Sequence, residues 1–399
     1  MTVMSAAPTV SAAYTTAATS KGQIDSSLSA QWARRPADQR FETLELLAAA
    51  VNAAAEESAE AAVEPSQMMV RREGNNLLLE GPNGIATPTH WSFGQLATLT
   101  GTPADYLRSL AEHGDETSLM LAQANLQLGL KHRKAGLMQS YTRGDTLRAM
   151  TSTKYGRILD RDVVGKVQTL VAQDPRWKVP GTIDWSSAAG GLVKHNPFID
   201  ITKDNTTLYA SDRDVFVFLC QDANPIEVGK LDNGQPDLMF RGFIISNSDV
   251  GAQSFSLKTM LLRGVCMNRN LWGCEDVHEV SIRHIGAAPE KFEEQAMPAL
   301  LAYANASTNA VVEQAKAAKQ LTIAKTEGER LDWLLERKLI KTMALAVMAR
   351  VSEEEGHPMT SLYDACHGLT AYARRVEYQD RRIKLEEMAA SWMKKVTVH

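Results

Sequence analysis

Arg241-Gly-Phe-Ile-Ile-Ser-Asn-Ser-Asp-Val-Gly251, running on to Phe255-Ser-Leu-Lys-Thr-Met-Leu-Leu-Arg263-Gly-Val-Cys266-Met-Asn268, carries the reading of the fold. Residues 238 to 247 are rich in Phe, Ile and Leu, and residues 253 to 266 alternate less cleanly. Asn247-Ser-Asp-Val-Gly251 between them is turn chemistry, so two long strands meet in a β-hairpin. Its polar turn and basic far end carry more hydrogen-bonding groups than folding requires. Arg263, Asn268, Arg269 and Asn270 bring guanidinium and amide donors close together, a density suited to phosphate or carboxylate.

Outward from the hairpin, strand signals continue upstream. A strand region covers 206 to 221, and strands at 137 to 143 and 146 to 152 flank Gly144-Asp145. Met68-Met-Val-Arg71 and Asn76-Leu-Leu-Leu-Glu80 form a small meander with Gly81-Pro-Asn-Gly84 as its next turn. Between these lie helices: one capped by Ser92 and running through 99, one opened by Thr102-Pro103-Ala-Asp105, one over 116 to 132, and one from Asp160 or Asp162 to about 173. An Ala-rich stretch from about 42 to 63 reads as a helix with Leu44, Leu46, Leu47 and Val51 on a narrow apolar stripe. After Gly286-Ala-Ala-Pro289 the pattern is helical to the end, with Thr326-Glu-Gly-Glu329 as a capping box and Gly356-His-Pro358 as a break. Trp333 and Trp392 fill the core of that bundle.

The expected fold is therefore α+β, an antiparallel sheet with helices on one side, followed by a C-terminal helical region. The division is a disordered lead-in over 1–25, an arm and helix over 26–66, an α+β core over 67–286 and helices over 287–399. The lead-in is mostly Ala, Ser and Thr and cannot offset the entropy of ordering. Trp32 and Phe41 read as anchors of the arm to the core, with a subunit contact as the functional alternative. A hydrophobic content of 44% over 399 residues supports a sizeable core plus a second element. With a net charge of −4 the chain as a whole is no polybasic binder, so a nucleic-acid surface has to be a local patch. Cys220, Cys266, Cys274 and Cys366 are too scattered for a disulfide framework, which points to the cytoplasm. No signal peptide or membrane span is expected.

Three segments together resemble a known family: Gln31-Trp-Ala-Arg-Arg-Pro-Ala-Asp-Gln-Arg-Phe41, then Thr89-His-Trp-Ser-Phe-Gly-Gln-Leu96 with Tyr106-Leu-Arg108, and Ser246-Asn-Ser with Arg263-Gly-Val-Cys-Met-Asn268. The family is the phage- and plasmid-borne domain of unknown function number nine-three-two, and the resemblance runs over roughly residues 25 to 290. It implies a protein of mobile elements, encoded near DNA-processing functions. It supplies no active site to carry over.

The sharpest charge asymmetry lies between Lys131 and Lys166. Lys131, Arg133, Lys134, Arg143, Arg148, Lys154, Arg157, Arg161 and Lys166 stand against only Asp145, Asp160 and Asp162, with Tyr141 and Tyr155 interleaved. Cations track a phosphate backbone, and aromatic rings offer stacking faces worth about 1–3 kcal/mol per base. If the two strands pair across Gly144-Asp145, Tyr141 and Arg143 share a parity. The plainer account is a set of solvated charges around a half-buried hairpin. The leading functional expectation is sequence-independent nucleic-acid binding, with single-stranded DNA favoured and annealing or recombination by a homo-oligomer as its sharper form. Lys131, Arg133, Lys134, Tyr141, Arg143, Arg148, Lys154, Tyr155 and Arg157 are its contacts, with Arg263 and Arg269 a second edge. Ala at Arg148 and Arg157 should then weaken binding and spare folding.

Other chemistries read less well. Cys266, Cys274, His278 and His284 could in principle hold zinc, but their first pair is too widely spaced for the usual structural site. Asp212, Asp214, Asp222 and Asp249 could form the metal site of a nuclease, or could be ordinary turn carboxylates. Ser246 and Ser248 lack a nucleophile-elbow context, and Gly190-Gly191-Leu-Val-Lys194 lacks a phosphate-loop frame. No cofactor or metal is expected. A metal-dependent nuclease, and a non-enzymatic assembly protein of a mobile element, stay open as alternatives.

Overall fold

The computed structural model describes residues 36–82, 84–132, 136–180, 200–204, 206–231, 234, 236–263, 269–270, 280–376 and 379–393. In chain order the first elements are β1 (Arg40–Phe41), α1 (Leu44–Glu56), β2 (Ser58–Val63), β3 (Met69–Glu73), β4 (Asn76–Gly81) and β5 (Gly84–Pro88). Three helices follow, α2 (His90–Thr100), α3 (Ala104–His113) and α4 (Glu116–His132), then β6 (Met138–Arg143), β7 (Thr146–Ser152) and α5 (Asp160–Gln173). Next come β8 (Trp177–Lys178), β9 (Leu208–Ala210), β10 (Val215–Lys230), β11 (Pro236–Asn247), β12 (Phe255–Arg263), β13 (Arg269–Asn270) and β14 (Val280–Ile282). The last elements are α6 (Ala288–Asn305), α7 (Asn309–Gln320), α8 (Glu327–Glu336), α9 (Lys341–Glu355), α10 (Leu362–Arg374) and α11 (Gln379–Met393).

The class is α+β with C-terminal helices, and the strands make two sheets. The larger runs β1-β9-β10-β11-β12-β13, with β14 also on β12 and β8 also on β10; the smaller runs β2-β6-β7-β5-β4-β3. Among the described residues every strand pairing is antiparallel except β5 with β7. The quoted hairpin is the centre of the larger sheet, β11 and β12 pairing from Met239↔Arg263 to Ser246↔Ser256.

Strand alternation sorts the core. Val215, Val217 and Leu219 of β10 join α1, α5 and α6 in one apolar cluster. Phe216, Phe218 and Cys220 face the other way, into a separate cluster with Tyr209, Phe240 and Met260. The far ends of β10 and β11 enter a third core with α7 to α11, where Trp333 and Trp392 meet edge to face at 5.2 Å. A fourth core lies between the smaller sheet and α2 to α4. Phe41 is partly buried against the first cluster.

Polar anchors, Arg241 and Asp237 among them, tie the helices to the larger sheet. Arg241 donates to the carbonyls of Ala304 (3.1 Å) and Ala306, completing the C-terminal end of α6. Asp237, fully buried, accepts from Lys319 Nζ and the Tyr363 hydroxyl, each at 2.8 Å. The Thr326 capping box on α8 forms as the sequence expects.

Two local expectations are corrected. The Ala-rich helix stops at Glu56, and Ser58-Ala-Glu-Ala-Ala-Val63 becomes the edge strand β2, paired to β6 over six residues. Sheet pairing overrides the helix preference of alanine here. The α2 helix is capped by Thr89, whose hydroxyl accepts from Ser92 N, while the Ser92 hydroxyl donates into the core at Leu147 O, 2.6 Å away.

Candidate functional site

The tip of the long hairpin is buried, not presented to solvent: Asn247, Ser248 and Asp249 are 0%, 0% and 3% exposed. It inserts against the smaller sheet and forms the joint between the two. Arg148 of β7 grips Asp249 with a two-pronged pair, Nη1 to Oδ2 at 3.1 Å and Nη2 to Oδ1 at 3.0 Å. Local backbone geometry delivers that side chain. Tyr141 lies opposite Ala149 and Thr142 opposite Leu147, so Arg148 is the extra residue of a β-bulge. A bulge re-aims a side chain and increases the local twist.

The remaining groups close around this pair. The Tyr141 hydroxyl donates to Asp249 Oδ2 at 3.4 Å, and the Tyr141 ring is stacked by Arg148 at 4.9 Å and by Arg157 at 4.1 Å. Arg157 donates to the Asp249 carbonyl and pairs with Glu60. Tyr155 lies under Arg157 at 5.0 Å, stacks on His284 with rings 5.2 Å apart, and donates to Ser248 O at 3.2 Å. Asn247 Nδ2 donates to Ile158 O at 2.9 Å and to Asp160 Oδ1 at 2.7 Å.

Burial sets the protonation here. Burial, then the neighbouring Asp249 charge, pushes the Asp160 carboxyl well above the usual carboxylate range, against the pull of Arg148 and of the Asn247 hydrogen bond. Burial also lowers His284 to about 4, so the ring on Tyr155 is neutral at pH 7. Ser248 Oγ donates to Arg213 O (2.6 Å) and accepts from Ala252 N (2.8 Å), which occupies the hydroxyl structurally.

The structure therefore splits the sequence-derived basic segment. Arg148 and Tyr141 are 4% and 2% exposed, and the Arg157 side chain is 6% exposed. Groups so enclosed cannot meet a strand, which corrects the expectation that Arg148, Arg157 and Tyr141 are contacts. The Tyr155 ring is engaged by Arg157 and His284, and its hydroxyl by Ser248 O. Arg143 is half-exposed at the hairpin end of β6 but pairs with Glu57 at 2.6 Å. Arg161 and Lys166 pair with Asp162 (3.5 Å) and Glu293 (2.6 Å).

Lys131, at the end of α4, and Lys154, just beyond β7, are exposed and in no ion pair among the described residues. Lys154 lies at the end of the smaller sheet where Met138, at the start of β6, pairs with Ser152, at the end of β7, and Lys131 is in the last turn of the helix that precedes β6. Arg283 and Lys291, missed from sequence, lie near Lys154: Gly286 N donates to Lys154 O at 2.9 Å and Tyr155 bridges Ile285. Both are exposed, again with no ion pair among the described residues, although Glu290 and Glu293 flank Lys291. No local signal could have joined residues so distant in sequence.

Arg133 and Lys134 lie outside the described residues, as do Cys266, Cys274 and His278 and the side chains of Arg263, Arg269 and Asp222. Among the other acidic candidates, Asp249 is taken by Arg148 and Asp214 accepts from Ser211 Oγ at 2.9 Å. Among the described residues, no group of three or more His, Cys, Asp or Glu side chains could hold a metal ion. No helix among them is long and apolar enough to cross a membrane.

The model of the domain of unknown function DUF932 matches residues 169–364, from within α5 to the start of α10. This is the family that the hairpin motifs resemble. The matched span takes in the larger sheet apart from β1 and most of the C-terminal helices, and leaves out the segments at 31–41, 89–96 and 106–108. No curated protein and no solved structure matches the chain.

Proposed function

We propose that the protein is a non-enzymatic, sequence-independent nucleic-acid-binding protein of a phage or plasmid, with single-stranded DNA its favoured ligand and a homo-oligomer its working form. One observation carries this reading: around Lys154, at one end of the smaller sheet, exposed cations that make no ion pair among the described residues come together from separate parts of the chain. Lys154, Arg283 and Lys291 offer exposed charge there, beside the exposed side chain of Ile285, and the exposed Lys131 on the helix before β6 is proposed to extend the surface. A row of ammonium and guanidinium groups binds phosphate by releasing condensed counterions, without base readout and without a reacting group. Arg263 and Arg269, on the paired strands β12 and β13, are the second backbone-binding edge of the proposal.

The test is anisotropy of a labelled single-stranded oligonucleotide across a salt series, with light scattering on the same sample. The triple variant Lys131→Ala, Lys154→Ala, Arg283→Ala is expected to flatten the slope of log K against log salt by about 2, at roughly 0.7 per lost phosphate contact. Absence of binding at about 50 mM salt, or a triple variant that binds like the wild type, overturns the reading.

A further inference from the structure

Beside the buried hairpin tip, α2, α3, Met138 of β6, Met150 of β7 and Arg213 line an open cavity of about 620 Å³. That is within the usual range for small-molecule sites, roughly 300–1,000 Å³. Its walls are chiefly apolar: Trp91, Leu99, Met138 and Met150. The charged groups lining it are the guanidiniums of Arg108 and Arg213.

The cavity is built, because its walls are fixed by groups that are already satisfied. Trp91 Nε1 and Gln95 Nε2 both donate to Val250 O, at 3.0 and 2.9 Å, and Gln95 Oε1 accepts from Met150 N at 2.9 Å. Arg213 stacks on the Trp91 ring at 4.8 Å and Arg108 on Phe93 at 5.7 Å. Arg108 also donates to His90 O at 3.1 Å, while its carboxylate neighbour Asp105 is 99% exposed and so a weak counter-charge. Arg108 Nε is buried with no hydrogen-bond partner. His90 beside them, lowered to about 4 by burial and by both arginines, is neutral at pH 7 and adds no charge of its own.

Gly94 is the independent observation. It sits inside α2, where glycine costs about 1 kcal/mol relative to alanine. Its backbone is not in the left-handed region, and a Cβ added there would meet nothing nearer than Arg108 Nη2 at 3.7 Å. Neither backbone conformation nor packing requires a glycine at this position. The missing side chain leaves the space in front of Arg108 open.

We propose that this cavity binds a small organic acid, a ring-sized apolar body carrying one carboxylate, with the body against Trp91, Leu99 and Met150 and the carboxylate on Arg108 and Arg213. The planar guanidinium fork matches a carboxylate, and the hydrocarbon walls favour an apolar body. The site reaches the same end of the smaller sheet through Met138 and Met150, but is built from other residues than Lys154, Arg283 and Lys291, and the proposal does not depend on nucleic-acid binding.

Pyrenebutyrate and its uncharged counterpart pyrenebutanol are the probes, titrated into the full chain with pyrene anisotropy as the readout. Saturable one-to-one binding of the acid is expected, with the alcohol about tenfold weaker or more, as a charge-assisted hydrogen bond implies. Gly94→Leu, which fills the space without demanding an unusual backbone, is expected to abolish binding of both probes with thermal stability unchanged or raised. Arg108→Met should reduce the preference for acid over alcohol to near unity. Failure of the acid to saturate, equal affinity for acid and alcohol, or unchanged binding by Gly94→Leu each overturns the proposal. If Arg108→Met does not fold, the alcohol and Gly94→Leu arms still decide it.

Discussion

Two places on the same seam set arginines on aromatic rings, and they differ in what the guanidinium does next. At the joint, Arg148 lies on Tyr141 and closes on a buried carboxylate, Asp249, with both members 5% exposed. At the cavity, Arg108 lies on Phe93, and its one acidic partner stands in solvent. The first arrangement spends its charge on holding two sheets together; the second keeps charge directed at open space. Charge and aromatic content look alike in the sequence at both places. The position of the counter-charge separates scaffold from site.

The strongest way to break this contrast is to remove Arg148. Arg148→Met strands the Asp249 carboxylate in the interior and is expected to cost about 3–5 kcal/mol in urea denaturation. Adding Asp249→Leu should return much of that loss, because an apolar pair of similar size needs no counter-charge. This reverses the sequence-based expectation that substitution here spares folding. A single variant as stable as the wild type would return Arg148 to the list of surface cations.

Acid offers a second way in, through His284. Its imidazole is held at about 4 against an ordinary 6.5, so the unfolded chain binds the proton first as pH falls. Stability tied to this residue is complete above 6.5 and is lost as pH falls toward 4, by up to about 3 kcal/mol at roughly 1.36 kcal/mol per pH unit. His284→Phe keeps a ring on Tyr155 and removes the buried, unpartnered Nε2. Its stability should therefore fall less between pH 6.5 and 4 than the wild type's, and equal falls would mean that the joint tolerates a charged imidazole.

Asp160 responds in the opposite direction. Its carboxyl keeps its proton in the folded protein to well above 3.8, so this group favours the fold most below that pH and opposes it increasingly as pH rises through the native titration. Asp160→Asn preserves an acceptor for Asn247 and is expected to remove that decline, leaving the variant at least as stable as the wild type at pH 8. A marked loss of stability at pH 8 would show that an ionised Asp160 is needed to balance Arg148.

Much of the fold was legible because it rests on local signals. The hairpin around Asn247–Gly251, the α4 helix, the β6 and β7 strands and the Thr326 box follow from alternation, caps and turn residues. What was not legible depends on pairing across long sequence distances. Nothing near Arg148 announces Asp249, 101 residues on, and nothing near Ser58-Ala-Glu-Ala-Ala-Val63 announces its strand partner β6. The single expected sheet became two because the meander over β3 to β5 closes onto β7 by a parallel contact, which local alternation does not encode. The candidate site was half legible. The density of cations was visible, but which of them the fold consumes depends on partners such as Glu57, Glu60 and Asp249.

The smallest expected effect on stability falls on the residues given the largest role in binding. Lys154→Ala and Arg283→Ala remove exposed charges that make no ion pair among the described residues, so each should shift folding stability by no more than about 0.5 kcal/mol. Arg143→Ala, which loses only the part-exposed pair with Glu57, should cost about 0–1 kcal/mol and leave oligonucleotide affinity nearly unchanged. The comparison is sharpest when these variants are ranked on both scales at once. If the cations left over by the fold form the binding surface, rank in binding runs opposite to rank in stability, with Lys154 and Arg283 first and Arg143 last. If Arg143→Ala instead weakens binding as much as Lys154→Ala does, the contact surface extends to the hairpin end of the smaller sheet, and an arginine already paired in the fold can still serve a strand.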